Sequence, residues 1–219
     1  MWNRQEVKQK AKVIMKRNYW KMFVITLLGT ILTGEGFSAA NATKDMTDSG
    51  LSPDIQSILL TVISVAGLLG ILYSIFVGNV IRVGKASYFL KNHDENPPLS
   101  EIFSAFKGNY INVVKIMLVM YLKTFLWTLL FVIPGLIKSI EYSMIPYILA
   151  ENPNISMSDA FSRTKQITTG QKMDLFVLEL SFLGWILLGG ILCGIGTLFV
   201  NPYIEATDAE VYIILRDSN

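Results

Sequence analysis

The chain has 219 residues, a net charge of +2 and one cysteine. Hydrophobic residues make up 52% and charged residues 16%, well under the roughly 25% charged of an average soluble domain. That balance excludes a protein that binds nucleic acid by charge, and a lone Cys193 excludes a disulfide framework and a cysteine zinc site. The apolar residues are gathered into long runs, which is a membrane composition.

Residues 1–18 carry Arg4, Lys8, Lys10, Lys12, Lys16 and Arg17 against Glu6, while Val7, Ala11 and Ile14 recur at helical spacing. This predicts a basic amphipathic helix lying on an anionic membrane face and meeting lipid headgroups. Tyr19 and Trp20 mark an interface, and a first span starts at Met22 and needs Gly34 to Phe37 to reach full length. A rival reading is a secretory signal cut near Ser38 to Ala42. The basic segment is long for a signal, and its removal would leave an odd number of spans.

The run Ile55 to Ile81 is uncharged between Asp54 and Arg82, about 40 Å of helix and enough for a tilted crossing. Ala66, Gly70, Ser74 and Gly78 repeat every fourth residue in it, a small-residue stripe that predicts close helix packing. Residues 82–110 turn polar, and within them Leu99, Ile102, Phe103 and Phe106 predict a short amphipathic helix ending at Gly108. His93, the chain's single histidine, falls in Lys-Asn-His-Asp-Glu-Asn-Pro-Pro and reads as a solvated loop residue.

A third span runs from Tyr110 to Phe131, interrupted by Lys115 and Lys123. Pro134 and Gly135 predict a tight reversal, and residues 136–150 return as a fourth. Ser156 followed by Asp159 is a capping box that opens an amphipathic helix closing near Gly170. The run 174–215 is too long for one helix and is cut by Gly189, Gly190, Gly194 and Gly196. It reads as a fifth and a sixth span, the last kinked at Pro202.

Lys and Arg concentrate in 1–18, 82–109 and 151–173, while the loop from Glu35 to Asp54 is acidic, which puts the first three segments and both termini in the cytoplasm. Asn96-Pro-Pro-Leu-Ser100 and Asn152-Pro-Asn-Ile-Ser156 each precede an amphipathic helix and a hydrophobic hairpin. The expected fold is therefore all-α, a single integral membrane domain over 1–219. It has about six transmembrane helices as three hairpins, each preceded by a cytoplasmic amphipathic helix.

No P-loop, HExxH or GxSxG is present, and no cofactor or metal motif stands out. What remains is charge inside the spans: Lys115, Lys123, Lys138, Glu141, Glu179, Glu205, Asp208 and Glu210. Each costs several kcal/mol in hydrocarbon and must face a partner, a cavity or an interface. Counting helical rise, Lys123, Glu141 and Glu205 all fall roughly 15–18 Å from a cytoplasmic end. They predict a midplane polar cluster, with Asn201 and Tyr203 beside the Pro202 kink. Such a cluster either binds an ion or polar headgroup or fixes packing as an ion-pair network. Lys115, Glu179 and Glu210 are close enough to the inner interface to snorkel.

The basic start EVKQKAKVIMKRNYWK, then IPGLIKSIEYSMIPYILAENP, LFVLELSFLGW and NPYIEATDAEVY, resemble the bacterial integral-membrane family catalogued as domain of unknown function 975. More distantly, Pro134, Tyr142, Pro146, Glu151, Ala160 and Gly170 are similar to the membrane domains attached to some glycerophosphodiester phosphodiesterases. The resemblance implies a bacterial cytoplasmic-membrane protein with about six spans and carries no established activity. The function expected is non-enzymatic, through lipids, a protein partner or a second copy. The alternative is a small transporter, channel or lipid-handling protein using the polar cluster.

Overall fold

The computed structural model describes residues 2–33, 52–191 and 195–218. The segment of the rival signal reading, Ser38 to Ala42, the top of the first span and Cys193 lie outside the described residues. Among the described residues every regular element is helical. Three helices are long and apolar enough to cross a membrane: Asp54–Lys91, Tyr110–Leu130 and Lys172–Gly190.

The first helix, α1 (Arg4–Thr33), joins the basic segment to the first apolar run across a kink at Asn18, whose backbone is non-helical (φ −136°, ψ 28°). The kink has a cause in the fold. Asn18 is buried and its Nδ2 donates to Asn92 Oδ1 at 2.8 Å. The apolar stripe of the basic segment is not turned to lipid as expected: Val7 and Ala11 are fully buried in the protein's own core. Lys10, Lys12 and Lys16 stay exposed on the other side.

The next helix corrects the boundary read at Arg82. α2 (Pro53–Tyr73) runs through a π-helical turn, Ser74–Gly78, into α3 (Asn79–Lys91) without leaving the helical path. Between Arg82 and Lys91 there is no proline, the single Gly84 is tolerated inside a helix, and the turn residues begin only at Asn92. The two halves have opposite surroundings. α2 is exposed along its length, whereas α3 buries Val80, Ile81, Val83, Tyr88 and Phe89 at the centre of the molecule. The small-residue stripe therefore packs at one end only. Gly78 lies against Thr33 of α1, with 3.5 Å between a Cβ built there and the Thr33 carbonyl oxygen, while at Gly70 nothing lies within 4 Å.

The amphipathic segment that follows is a 3-10 helix, Leu99–Phe103, and a single turn, α4 (Ser104–Lys107). Ile102 and Ala105 face inward, but Leu99, Phe103 and Phe106 are exposed. Glu101 fastens this segment to α3: its Oε1 accepts from Ser87 Oγ at 2.6 Å and pairs with Lys91 Nζ at 2.9 Å. Burial alone raises the Glu101 carboxyl. The bonds from Ser87 and Lys91, the Lys91 charge and a bond from Ser104 outweigh that and hold it below the usual carboxylate range. With the folded value below the unfolded one, the contribution is present above the unfolded carboxylate range and is lost as pH falls through the folded value. Glu101→Gln is expected to flatten the acid-side loss of stability, read as the unfolding midpoint in detergent between about pH 7 and about pH 3. An unchanged acid limb would show that Glu101 contributes nothing to it.

α5 (Tyr110–Leu130) and α6 (Val132–Tyr142) form a hairpin, but the turn is not at Pro134-Gly135. One extended residue, Phe131 (φ −154°, ψ 136°), makes the reversal. Pro134 falls in the first turn of α6, where its missing N–H is no loss. Gly135 is a contact glycine, since a Cβ there would lie 2.3 Å from Thr128 Oγ1. The expected fourth span is also divided: after α6 the chain turns at Ser143 and Met144 and restarts as α7 (Ile145–Glu151), with Pro146 in its first turn.

Ser156 caps α8 (Met157–Thr168) as the capping box predicts, its Oγ accepting from Asp159 N at 3.1 Å, and Gly170 ends the segment at φ +80°. Finally α9 (Lys172–Ile191) and α10 (Ile195–Asp217) pack side by side, with the backbones of Gly189 and Gly196 in contact. Pro202 lies inside α10 as expected.

Candidate functional site

The five residues expected to meet at one level do not form one cluster. Glu141, 2% exposed, is bracketed by Lys138, with Nζ 2.7 Å from its Oε1, and by Lys172 of α9 on its Oε2. The Glu141 carbonyl also accepts from Thr164 Oγ1 at 2.6 Å, which ties α6 to α8. Lys123 lines the same cleft as Glu141 but turns its ammonium to the Phe161 ring, 3.8 Å from the centroid. Glu205 lies elsewhere, paired with Lys85 of α3 at 2.7 Å. Tyr203 packs edge-on against Phe182, and Asn201 is half-buried one turn before Glu205 on α10.

Around the Lys85–Glu205 pair is a half-open pocket of about 210 Å³ between α3, the α6–α7 break, α9 and α10. Each polar group in its wall has an identifiable source. Arg82 and Lys85 come from successive turns of α3, and Glu205 and Asp208 from successive turns of α10. Glu179 reaches in from α9, Ser143 from the helix break and Tyr147 from α7. Gly29 of α1 leaves room for the lysine stem, because a Cβ there would lie 2.9 Å from Lys85 Cδ. Arg82 is held on the other side by Tyr121 of α5, donating to its hydroxyl, with the guanidinium 5.3 Å from the ring centre.

The cavity thus offers two cationic side chains and three carboxyl groups inside a mostly apolar bundle. Polar groups facing one another across a break in a helix are how a bundle can receive a charged group away from water. Because both signs are present, the wall suits a ligand that carries both. Among the described residues no three His, Cys, Asp or Glu side chains are grouped to hold a metal ion.

Arg82 and Lys85 were missed because the expected span stopped at the first charge. The signal was there: no proline and only the isolated Gly84 occur before Asn92, which places both cations one turn apart on a continuing helix. Two further expectations change. His93 is not free in its loop, since its Nδ1 lies 2.5 Å from Oε1 of Glu210, and Glu210 does not snorkel but is 2% exposed. α10 passes beneath the loop and brings this acid to the ring.

Residues 129–219 match a family model described as Protein of unknown function (DUF975), the family the sequence resembles. The match covers less than half of the chain. It takes in Glu141, Glu179, Glu205 and Asp208 but leaves Arg82, Lys85 and Lys123 outside. No curated protein and no solved structure matches the chain.

Proposed function

From a carboxy-terminal family that brings no activity with it, we propose that this is a multi-pass bacterial cell-membrane protein that acts by binding and not by catalysis. Six apolar limbs, arranged as three hairpins, would keep both termini at the cytoplasmic face, in line with the distribution of Lys and Arg. Of the two functions read from the sequence, the lipid- or solute-handling one is favoured. The observation that carries it is the half-open 210 Å³ pocket at Lys85 and Glu205, whose wall holds charges of both signs. Its ligand would be a small zwitterionic group, such as a polar headgroup, that takes over each half of the ion pair. The partner-binding reading rests on a different observation, the exposure of α2 along its whole length.

The test is native mass spectrometry of protein purified in detergent, comparing the wild type with Lys85→Met/Glu205→Gln. Neutralising both partners removes the pair without leaving one half of it facing an uncharged mate, and Arg82 still faces the remaining acids Glu179 and Asp208. Expected is a stoichiometric polar or lipid adduct on the wild type, with occupancy reduced about tenfold in the variant, which corresponds to roughly 1.4 kcal/mol. Equal occupancy in both would return the pair to a packing role.

A further inference from the structure

The cleft at Lys123 has a chemistry of its own. It is an open depression of about 500 Å³ between the lower part of the α5–α6 hairpin and α8. Three lysines line it, Lys123, Lys138 and Lys165, with the hydroxyls of Ser158 and Ser162 beside them. One carboxylate, Glu141, faces them, and Lys138 and Lys172 already bracket it. Among the described residues Lys123 and Lys165 have no acidic partner, so positive charge remains uncompensated where the cleft opens.

Position adds a second, independent indication. Lys123 and Lys138 lie on opposite limbs of the hairpin at nearly equal distance from its turn at Phe131, roughly 10–12 Å below the tip by helical rise. Between them no residue is charged, and Leu129, Leu130 and Phe131 at the tip are 65–72% exposed. α8, on the other side of the cleft, exposes Ser158, Ser162 and Lys165. The lysines therefore stand on the boundary between an apolar projection and a polar helix. With the tip dipping into one leaflet, that boundary is the level of the lipid phosphates, where interfacial lysines and basic pockets meet headgroups. The α5–α6 hairpin then enters the bilayer without crossing it, which sets Lys123 at the interface and not at the midplane.

We infer that this cleft is a phosphate-binding site occupied by an anionic lipid, whose headgroup phosphate bridges Lys123 and Lys165 while its chains lie along the exposed α5–α6 tip. Ser158 and Ser162 supply hydroxyl donors to the phosphate oxygens. Phe161, already under the Lys123 ammonium, keeps that side chain in the cleft. The site is separate from the Lys85–Glu205 cavity and stands whether or not that cavity binds a ligand.

Native mass spectrometry of the full chain, titrated with phosphatidylglycerol, phosphatidylcholine and inorganic phosphate, tests it. Lys123→Gln/Lys165→Gln removes two charges without stranding an acid, and leaves Lys138 to Glu141. Expected is a loss of about tenfold or more in apparent affinity for phosphatidylglycerol, with phosphatidylcholine unchanged. The control Lys10→Gln/Lys16→Gln, on the exposed side of α1, should stay within about twofold. As a readout free of any variant, phosphatidylglycerol vesicles should slow acetylation of Lys123 in the wild type relative to phosphatidylcholine vesicles. Unchanged affinity, equal loss in the control, or acetylation indifferent to lipid charge would overturn the site. Protection by inorganic phosphate alone, with no gain from phosphatidylglycerol, would make the ligand a soluble phosphate and overturn the lipid.

Discussion

Replacing Lys138 and Lys172 together by methionine is expected to destabilise the protein by about 3–5 kcal/mol, because it leaves the Glu141 carboxylate buried without a counter-charge. The Glu141 side chain is 3% exposed, while Lys138 and Lys172 are 25% and 31% exposed. That difference decides the direction of the comparison. If the carboxylate is removed instead, as in Glu141→Gln, two partly exposed ammonium groups can turn to water, and the cost should be about 1–2 kcal/mol. Combining the double variant with Glu141→Leu removes every charge and should recover most of the loss. Thermal unfolding in detergent, followed by circular dichroism, checks all three. At a few degrees per kcal/mol for a chain of this size, the double variant should lose roughly 10 °C. If it melts with the wild type, or if Glu141→Gln is the worse of the two, the account of this network is wrong.

Gly84→Ala should be as damaging for an unrelated reason. A Cβ at Gly84 would lie 1.9 Å from the carbonyl oxygen of Ile102 and 2.6 Å from its carbonyl carbon. Both atoms belong to the backbone of the 3-10 helix, and Ile102 itself is fully buried, so no flexible side chain can move aside. Relief requires the whole segment from Leu99 to Lys107 to lift from α3, at about 3 kcal/mol, the upper part of the range for overpacking. Proteolysis between Asp94 and Gly108 should accelerate in step with the loss of melting temperature. Gly70→Ala is the matched control: nothing lies within 4 Å of a Cβ there, and the change should be neutral or stabilising by up to about 1 kcal/mol. Equal behaviour of the two variants would mean that the contact with Ile102 carries no weight.

Features set by local chemistry were legible in the sequence: the Ser156 cap, the closing glycine at 170, the split of the last apolar run into two helices and the all-helical character. Features that depend on which charge meets which were not. Counting helical rise sets Lys123, Glu141 and Glu205 at one depth only if each limb is a single unbroken helix, whereas Glu141 is in the last turn of α6, which ends at Tyr142; rise also carries no azimuth. The direction in which each side chain points was decided by partners on other helices, Phe161, Lys172 and Lys85. The same limit explains α1. An amphipathic stripe specifies that one face seeks an apolar surface, and the choice between lipid and the protein's own core was made by tertiary packing. The expected reversal at Pro134-Gly135 failed because proline is as well suited to the first turn of a helix as to a turn between helices.

The π-helical turn at Ser74–Gly78 has a consequence for how one long rod can serve two environments. Such a turn inserts a residue into the α-helical count, and each residue is worth about 100° of rotation. The face of the rod that would have continued α2 is therefore turned away before α3 begins. Above the turn the helix meets its surroundings on all sides; below it, Lys85 points at Glu205 and Gly84 at Ile102. The insertion works as a phase adjuster, and the pairing of charges in the cavity depends on its angle.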